Sequence, residues 1–524
     1  MTRPTVAEAL NAALAHHRAG RLADARDLYT AVLKASPDNF DALHLLGVLA
    51  RNEGDVPTAI RLIPRALAVD PRFASAYSNL GNALQDDCRI AEAIDAHRTA
   101  LTLDPLDSGA HRRLLSCLLY LPGVGPQERF AAHLDFAVRH RPAPEHVLPP
   151  PDNDRDPDRM LRVGLLSSDF RAHSTGRNMI SLFRWRDRTA CQLFCYAEVA
   201  APDSYSEMIR AQCDGWRSMV GLDDRAVAEL IRRDRIDLLA VVASHFDANR
   251  PLVACYRPAP LQISMFDGAT SGLHEMDYFV TDPFLTPASS TERFTERLAQ
   301  LPMAVQCPAL EPAPAVGALP ASASGFITFG SFNNPAKLSA LTLELWSRVL
   351  HAVPGARMML KYRERFADSI LRARLHAAFA AQGVDPARIC FRSSDDDQTA
   401  HLASYGAIDI ALDTTPFTGA HTTFDALWMG VPVITLAGDS VMSRMSSGLL
   451  SAAGLDAMIA PSPDGFVERA TALANDLDHL AGLRASLRAQ VARSPLCDGP
   501  AYARSVENLW RSLWRARCAT PEAG

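Results

Sequence analysis

The chain has 524 residues, 48% of them apolar and 21% charged, with a formal net charge of −6. That supports several domains with true cores. The slight acidity, without a long basic run, argues against nucleic acid or an anionic membrane surface as the main partner. No run reaches the roughly 18 apolar residues that span a bilayer, and "MTRPTVAEAL" lacks an apolar signal core. Ten scattered cysteines without a CxxC pair point to a reduced, cytoplasmic protein rather than a disulfide or zinc framework.

The first quarter repeats itself. Pro37, Pro71 and Pro105 recur at a period of 34 residues, each closing a similar segment. Gly20, Gly54 and Cys88 fall at the turn inside each unit, and Ala25, Ala59 and Ala93 follow where small side chains let helices approach. Leu33, Leu67 and Leu101 share a register on the second helix, and Ala13, Gly47 and Gly81 share one on the first. A period of this length marks stacked helix-turn-helix units. The set resembles tetratricopeptide (TPR) repeats over roughly residues 6–110 and implies a surface that holds another polypeptide.

Residues 110–140 continue as helix, so the repeats and their extension are assigned to 1–140. The Pro- and Asp-rich stretch 141–159 reads as a linker. An alternation of strands and helices follows over 160–303, then a Pro/Ala/Gly-rich break at 304–325, then a second alternation over 326–524 that ends in helices. Short strands separated by helices predict parallel sheets covered on both faces. Two such lobes predict a ligand cleft at the carboxyl ends of their strands.

Four segments carry candidate chemistry. In "DIALDTTPFTGAHTTFDALWMG" a strand ends at Asp413, a loop holds Pro416 and Gly419, and a helix opens at "AHTT". Free N–H groups and the helix dipole make such a start a phosphate site. Thr422 and Thr423 add hydroxyls there, and Asp425 could accept from a ribose hydroxyl. In "FGSFNNPAKLS", Asn333, Asn334 and Lys337 follow a strand, where a lysine can reach a diphosphate and steady a departing nucleotide. In "SSDFRAHSTGRNM" and "VVASHFDANRP", His173 and His245 each follow a strand of the first lobe and are candidates to orient or accept a proton. No Walker loop, no GxGxxG after a strand and no HExxH is present. The acidic run Asp395–Asp397 reads as a solvated loop rather than a metal site.

At these motifs the chain resembles the O-GlcNAc transferase/SPINDLY-like family of protein glycosyltransferases. The resemblance rests on "RVGLLSSDFRAHSTG", "RPAPLQISMFDGATSG", "MDYFVTD", "FGSFNNPAKLS", the segment from Asp409 to Gly438, and "SRMSSGLL". It implies an α-helical TPR solenoid followed by an α/β two-lobed GT-B glycosyltransferase domain that works without a metal or other cofactor and inverts the anomeric centre. It assigns His173 to acceptor and donor positioning, matches His245 to a histidine of the family's bacterial GHT pattern although Ser244 and Phe246 replace its neighbours, and gives Asn334 and Lys337 to the pyrophosphate loop and His401 to stacking on the uracil. Thr422 and Thr423 become phosphate binders and Asp425 the ribose acceptor, with His421 one step into the same loop. The chain departs from the pattern in its shortened "MFDGATSG" loop, in Arg177 where a second histidine is usual, and in Gln398 where some members carry a lysine.

The expectation is therefore a cytoplasmic enzyme moving a sugar, first of all GlcNAc from UDP-GlcNAc, to Ser or Thr of a protein held by the repeats. Its partners would be that protein and a UDP-sugar, with no nucleic acid and no membrane insertion. Two alternatives stand beside it. One is the same fold using GDP-fucose or a nonulosonic acid, as in flagellin glycosylation. The other is a non-catalytic TPR scaffold.

Overall fold

The computed structural model describes residues 5–393 and 397–520, so most of the acidic run Asp395–Asp397 lies outside the described residues. The chain groups into two compact units, residues 1–121 and 122–524.

In the first unit, Val6–Arg18 pairs with Leu22–Ala35, Phe40–Asn52 with Val56–Val69, and Ala74–Asp86 with Ile90–Leu103; Ser108–Leu118 follows. The repeated positions do what their chemistry requires. Ala13, Ala25, Ala59 and Ala93 are fully buried. A Cβ on Gly47 would lie 2.7 Å from Ile63, and one on Gly81 2.6 Å from the His97 ring, so neither site has room for a side chain. Gly20 and Gly54 turn the chain with φ of +73° and +86°. Cys88 takes the same left-handed turn at φ +63°, at the steric cost that glycine avoids.

The second unit holds two parallel sheets. The first contains β1 (Leu161–Ser167), β2 (Cys191–Ala197), β3 (Gly215–Ser218), β4 (Leu238–Val242), β5 (Leu261–Met265), β6 (Tyr278–Thr281) and β7 (Arg297–Gln300), in the order β3-β2-β1-β4-β5-β6-β7. The second contains β8 (Thr328–Ser331), β9 (Arg357–Lys361), β10 (Ile389–Arg392), β11 (Ile410–Leu412), β12 (Val433–Leu436) and β13 (Ile459–Ala460), in the order β10-β9-β8-β11-β12-β13. Strands β4, β5, β8, β11 and β12 are buried along their whole length, as expected where helices cover both faces. This is the two-lobed GT-B architecture. Strand order reverses between β1 and β4 in one lobe and between β8 and β11 in the other. Loops leaving adjacent strands there diverge to opposite faces and open a crevice. The short strands β3, β7 and β13 were not expected; β3 and β7 are edge strands with exposed residues and little apolar alternation.

Three boundaries differ from the sequence expectation. Helix Pro126–His140, counted with the repeats, packs on the first lobe: Phe136 and His133 meet the His245 ring edge-on at 4.8 and 5.1 Å. Gly272 permits this docking, since a Cβ there would fall 2.2 Å from the His133 carbonyl oxygen. The 141–159 stretch is strapped down rather than loose. Asn153 Nδ2 donates to Asp237 Oδ1 at 2.7 Å, and Arg159 Nη1 to Asp237 Oδ2 at 2.8 Å. The final helix Gly499–Ala519, counted with the second lobe, buries Tyr502, Val506, Trp510 and Trp514 in the core of β1, β4 and β5. Sequence order could not reveal this return, because an amphipathic helix does not name its partner.

The lobes also meet at Glu292, whose Oε2 accepts from the Val441 N–H at 2.9 Å at the start of helix Val441–Ala452. Burial pushes this carboxyl up to about 7, against the pull of Arg129 and Arg444 at 3.9 and 3.7 Å. None of the ten cysteines forms a disulfide. No helix among the described residues is long and apolar enough to cross a membrane. Trp510→Ala should destabilise the second unit by about 3–5 kcal/mol, read as a lower unfolding midpoint; an unchanged midpoint would contradict the placement of the last helix.

Candidate active site

The second-lobe crevice is built on the Asp413 carboxylate, which is buried at the end of β11. Its Oδ1 accepts from Thr414 N at 2.9 Å, Gly419 N at 2.8 Å and Asn333 Nδ2 at 3.4 Å, while Oδ2 accepts from Thr435 Oγ1 at 2.7 Å. One side chain thus folds the 413–420 loop and ties it to the loop after β8 and to β12. Gly419 lets the chain pass: a Cβ there would sit 2.5 and 2.7 Å from the Thr423 and Thr422 hydroxyls.

Lys337 lies on the short turn Pro335–Lys337. Its Nζ donates to the Thr418 carbonyl at 2.8 Å and lies 4.4 Å over the Phe417 ring. Desolvation lowers its pKa to about 8, although Asp413 opposes the shift. An ammonium held in a half-buried loop with carbonyl and ring partners costs free energy that an incoming anion offsets.

Helix His421–Trp428 opens at this loop. Thr422 Oγ1 donates to Asn333 Oδ1 at 2.9 Å, at the mouth of the crevice beside Lys337. Thr423 turns away: it is 2% exposed and its hydroxyl bonds Ser446 Oγ at 2.7 Å, so its side chain packs the helix rather than facing a ligand. Asn334 caps the Lys337 turn, accepting from Ala336 N at 3.0 Å. The polar centre of the loop is Asn333, which touches Asp413, Lys337 and Thr422. A signal for this was available. An Asn before Pro is a turn cap, which assigns Asn334 to the backbone and leaves Asn333 for the crevice.

His401 accepts from Lys361 Nζ at Nδ1, 2.8 Å away, and directs Nε2 toward Asp425 Oδ2 at 3.7 Å. Its ring lies 6.2 Å from Phe332 and 5.7 Å from Tyr405, forming an aromatic wall. Asp425 is 4% exposed and accepts from Arg177 of the first lobe at 3.1 Å. Burial opposes its charge, but Arg177 and His401 outweigh it and hold the carboxyl below its ordinary value. His421 is buried and bonds the Ser174 carbonyl at 2.9 Å through Nε2; desolvation, with Arg177, lowers its pKa to about 3, so it is a neutral donor.

That bond brings the first-lobe crevice to the second, because Ser174 follows His173. His173 caps helix Ser174–Trp185, its Nδ1 accepting from Thr175 N at 3.3 Å. Nε2 faces Asp247 Oδ2 at 3.4 Å, and buried Asp169 approaches Nδ1 at 3.6 Å. Asp169, His173 and Asp247 bring ligand atoms within 4.8 Å of one another, a spacing that a metal ion could use. The carboxylates flank opposite nitrogens, however, which suits orienting the ring better than a chelate through one nitrogen. Ala243, Asp247 and Phe266, after β4 and β5, hold left-handed φ of +54°, +48° and +58°, backbone strain of the kind that gathers at working sites. Nothing in "SHFDANRP" alone marks Asp247.

His245 does not share this crevice edge. It is 7% exposed, bonds the Ser271 carbonyl at 2.8 Å through Nε2, and packs between His133 and Phe136. It follows β4, but its ring points into the helix-docking face, so it supports structure rather than proton transfer. The shortened loop after β5 buries Asp267 and pushes its carboxyl up to about 7. Beyond it, Thr270 and Ser271 are held by Glu296.

The sequence model described as Glycosyl transferase family 41 matches residues 137–307 and 317–506, and tetratricopeptide repeat models match 10–63 and 44–108. Two similar plant proteins are the probable UDP-N-acetylglucosamine–peptide N-acetylglucosaminyltransferases SPINDLY of Solanum lycopersicum and of Arabidopsis thaliana. The tomato protein is 32% identical over 427 residues, 80% of this chain and 45% of its own length. The Arabidopsis protein is 32% identical over 425 residues, 79% of this chain and 46% of its own. The chain thus spans a little under half the length of these relatives. A solved structure of a lysine-to-methionine mutant of the Thermobaculum terrenum O-GlcNAc transferase superposes with a TM-score of 0.91, at 34% identity, over 99% of both chains. With both lobes matched by one family model and their crevices facing across the His421–Ser174 bond, the chain belongs to glycosyl transferase family 41.

Proposed function

We propose that this chain transfers N-acetylglucosamine from UDP-GlcNAc to a Ser or Thr hydroxyl of a protein, with inversion. The observation that carries the reading is Lys337 held beside Asn333, Thr422 and the opening of helix His421–Trp428, at the strand-order reversal of the second lobe. The names of its relatives support the donor and the peptide acceptor.

In this reading the acceptor oxygen attacks the anomeric carbon, and the bond from that carbon to the diphosphate oxygen breaks. The departing UDP carries the negative charge, which Lys337, the Thr422 hydroxyl and the helix start stabilise where they stand. The aromatic wall of Phe332, His401 and Tyr405 receives the base, and Asp425 the ribose. The hydroxyl proton goes to the His173–Asp247 pair, with Asp247 as the exposed carboxylate. Lys337 supplies the charge that a metal supplies in other transferases, so the reaction runs without one. The repeats hold the acceptor protein. Alignment of two large substrates is itself a major part of the rate.

Lys337→Met should keep the unfolding midpoint and lower transfer by at least 100-fold, of the size seen when one electrostatic donor to a transition state is removed; turnover within a fewfold of normal would sink the assignment. UDP affinity should fall as pH rises through about 8, where free Lys337 loses its proton, and titration calorimetry of Lys337→Met should show no such fall. Stability runs the other way: the unfolded lysine keeps its proton to about 10.4, so between those pH values the unfolded chain binds more protons and stability rises with pH. Excess EDTA should leave turnover unchanged. Loss on chelation with recovery on adding a divalent ion would instead assign a metal to Asp169, His173 and Asp247.

A further inference from the structure

Arg177 stands on the first turn of helix Ser174–Trp185, and its Nη2 donates across the lobes to Asp425 Oδ1 at 3.1 Å. The pair is shielded, with side-chain exposures of 18% and 6%. Asp425's other oxygen faces His401 Nε2 at 3.7 Å. One turn away, His421 bonds the Ser174 carbonyl. The starts of two helices, one at the end of β1 and one at the end of β11, therefore lie against each other, joined by an ion pair and a hydrogen bond. As they stand, both oxygens of the carboxylate read as the ribose acceptor are already engaged.

A nucleoside diphosphate brings what would resolve this. Its ribose diol offers hydroxyl donors to Asp425, and its diphosphate offers a new anion to the guanidinium. Arg suits that exchange, because its charge is permanent and its fork of donors matches phosphate oxygens. Taking away one partner of a shielded ion pair without replacement is costly. A nucleoside alone would claim Asp425 and leave Arg177 unpaired. Inorganic pyrophosphate alone would claim Arg177 and leave Asp425 facing only His401.

We infer that Arg177 is a donor-specificity residue: it passes from Asp425 to the donor diphosphate and so couples recognition of ribose to recognition of phosphate. This rests on the donor reading above. The test is titration calorimetry of UDP, uridine and pyrophosphate against the full chain and its Arg177→Gln and Arg177→Lys variants. Arg177→Gln should weaken UDP at least tenfold while uridine binds as well as before or better, because Asp425 is released. Arg177→Lys, which keeps the charge but not the fork, should weaken UDP severalfold with uridine unchanged, and it serves as the test if the Gln variant does not fold. Equal weakening of UDP and uridine in the folded variants would mean a merely structural ion pair and overturn the inference. Unchanged UDP affinity would overturn it too. Failure of the unmodified chain to bind any nucleoside diphosphate would bring down the donor reading itself, and this inference with it.

Discussion

The buried carboxylate of Asp413 is the constraint on which the rest of the second crevice depends. Four hydrogen bonds to one side chain fix the 413–420 loop, anchor Asn333 and set where helix His421–Trp428 begins. Hydrogen bonds to a carboxylate are stronger than those between neutral groups. With the loop fixed, the Thr418 carbonyl is aimed at Lys337 and the Thr422 hydroxyl at Asn333. Remove the carboxylate and two loops and a helix start lose their common reference.

The same economy recurs between the lobes. Ser174 and Arg177 meet His421 and Asp425, and Glu292 reaches the start of helix Val441–Ala452. Each contact joins the beginning of a helix in one lobe to a polar group in the other. The lobes are thus joined where helices begin, through side chains and backbone groups near helix starts.

Much of this was legible in the sequence where local physics decides. The period of Pro37, Pro71 and Pro105 gave the repeats, and the small residues at Gly47 and Gly81 sit where packing leaves no room. Buried strands ending in polar loops placed Lys337, Thr422 and His173 at the strand-order reversals. Partnership across long distances was not legible. That the last helix returns to the first lobe, that His245 turns under helix Pro126–His140, and that Arg177 finds Asp425 are outcomes of tertiary packing with no local signature. The departure at Arg177, a puzzle in one dimension, is an ion pair in three.

The central claim is that the joined crevices move a sugar onto protein. The most direct measurement is mass spectrometry of cellular proteins with and without the chain, repeated with the purified chain, UDP-GlcNAc and a modified protein so found. The account predicts Ser or Thr residues that gain a single N-acetylhexosamine only when the chain and UDP-GlcNAc are both present. A different added sugar would contradict the donor, and no added mass in either setting would contradict the transfer.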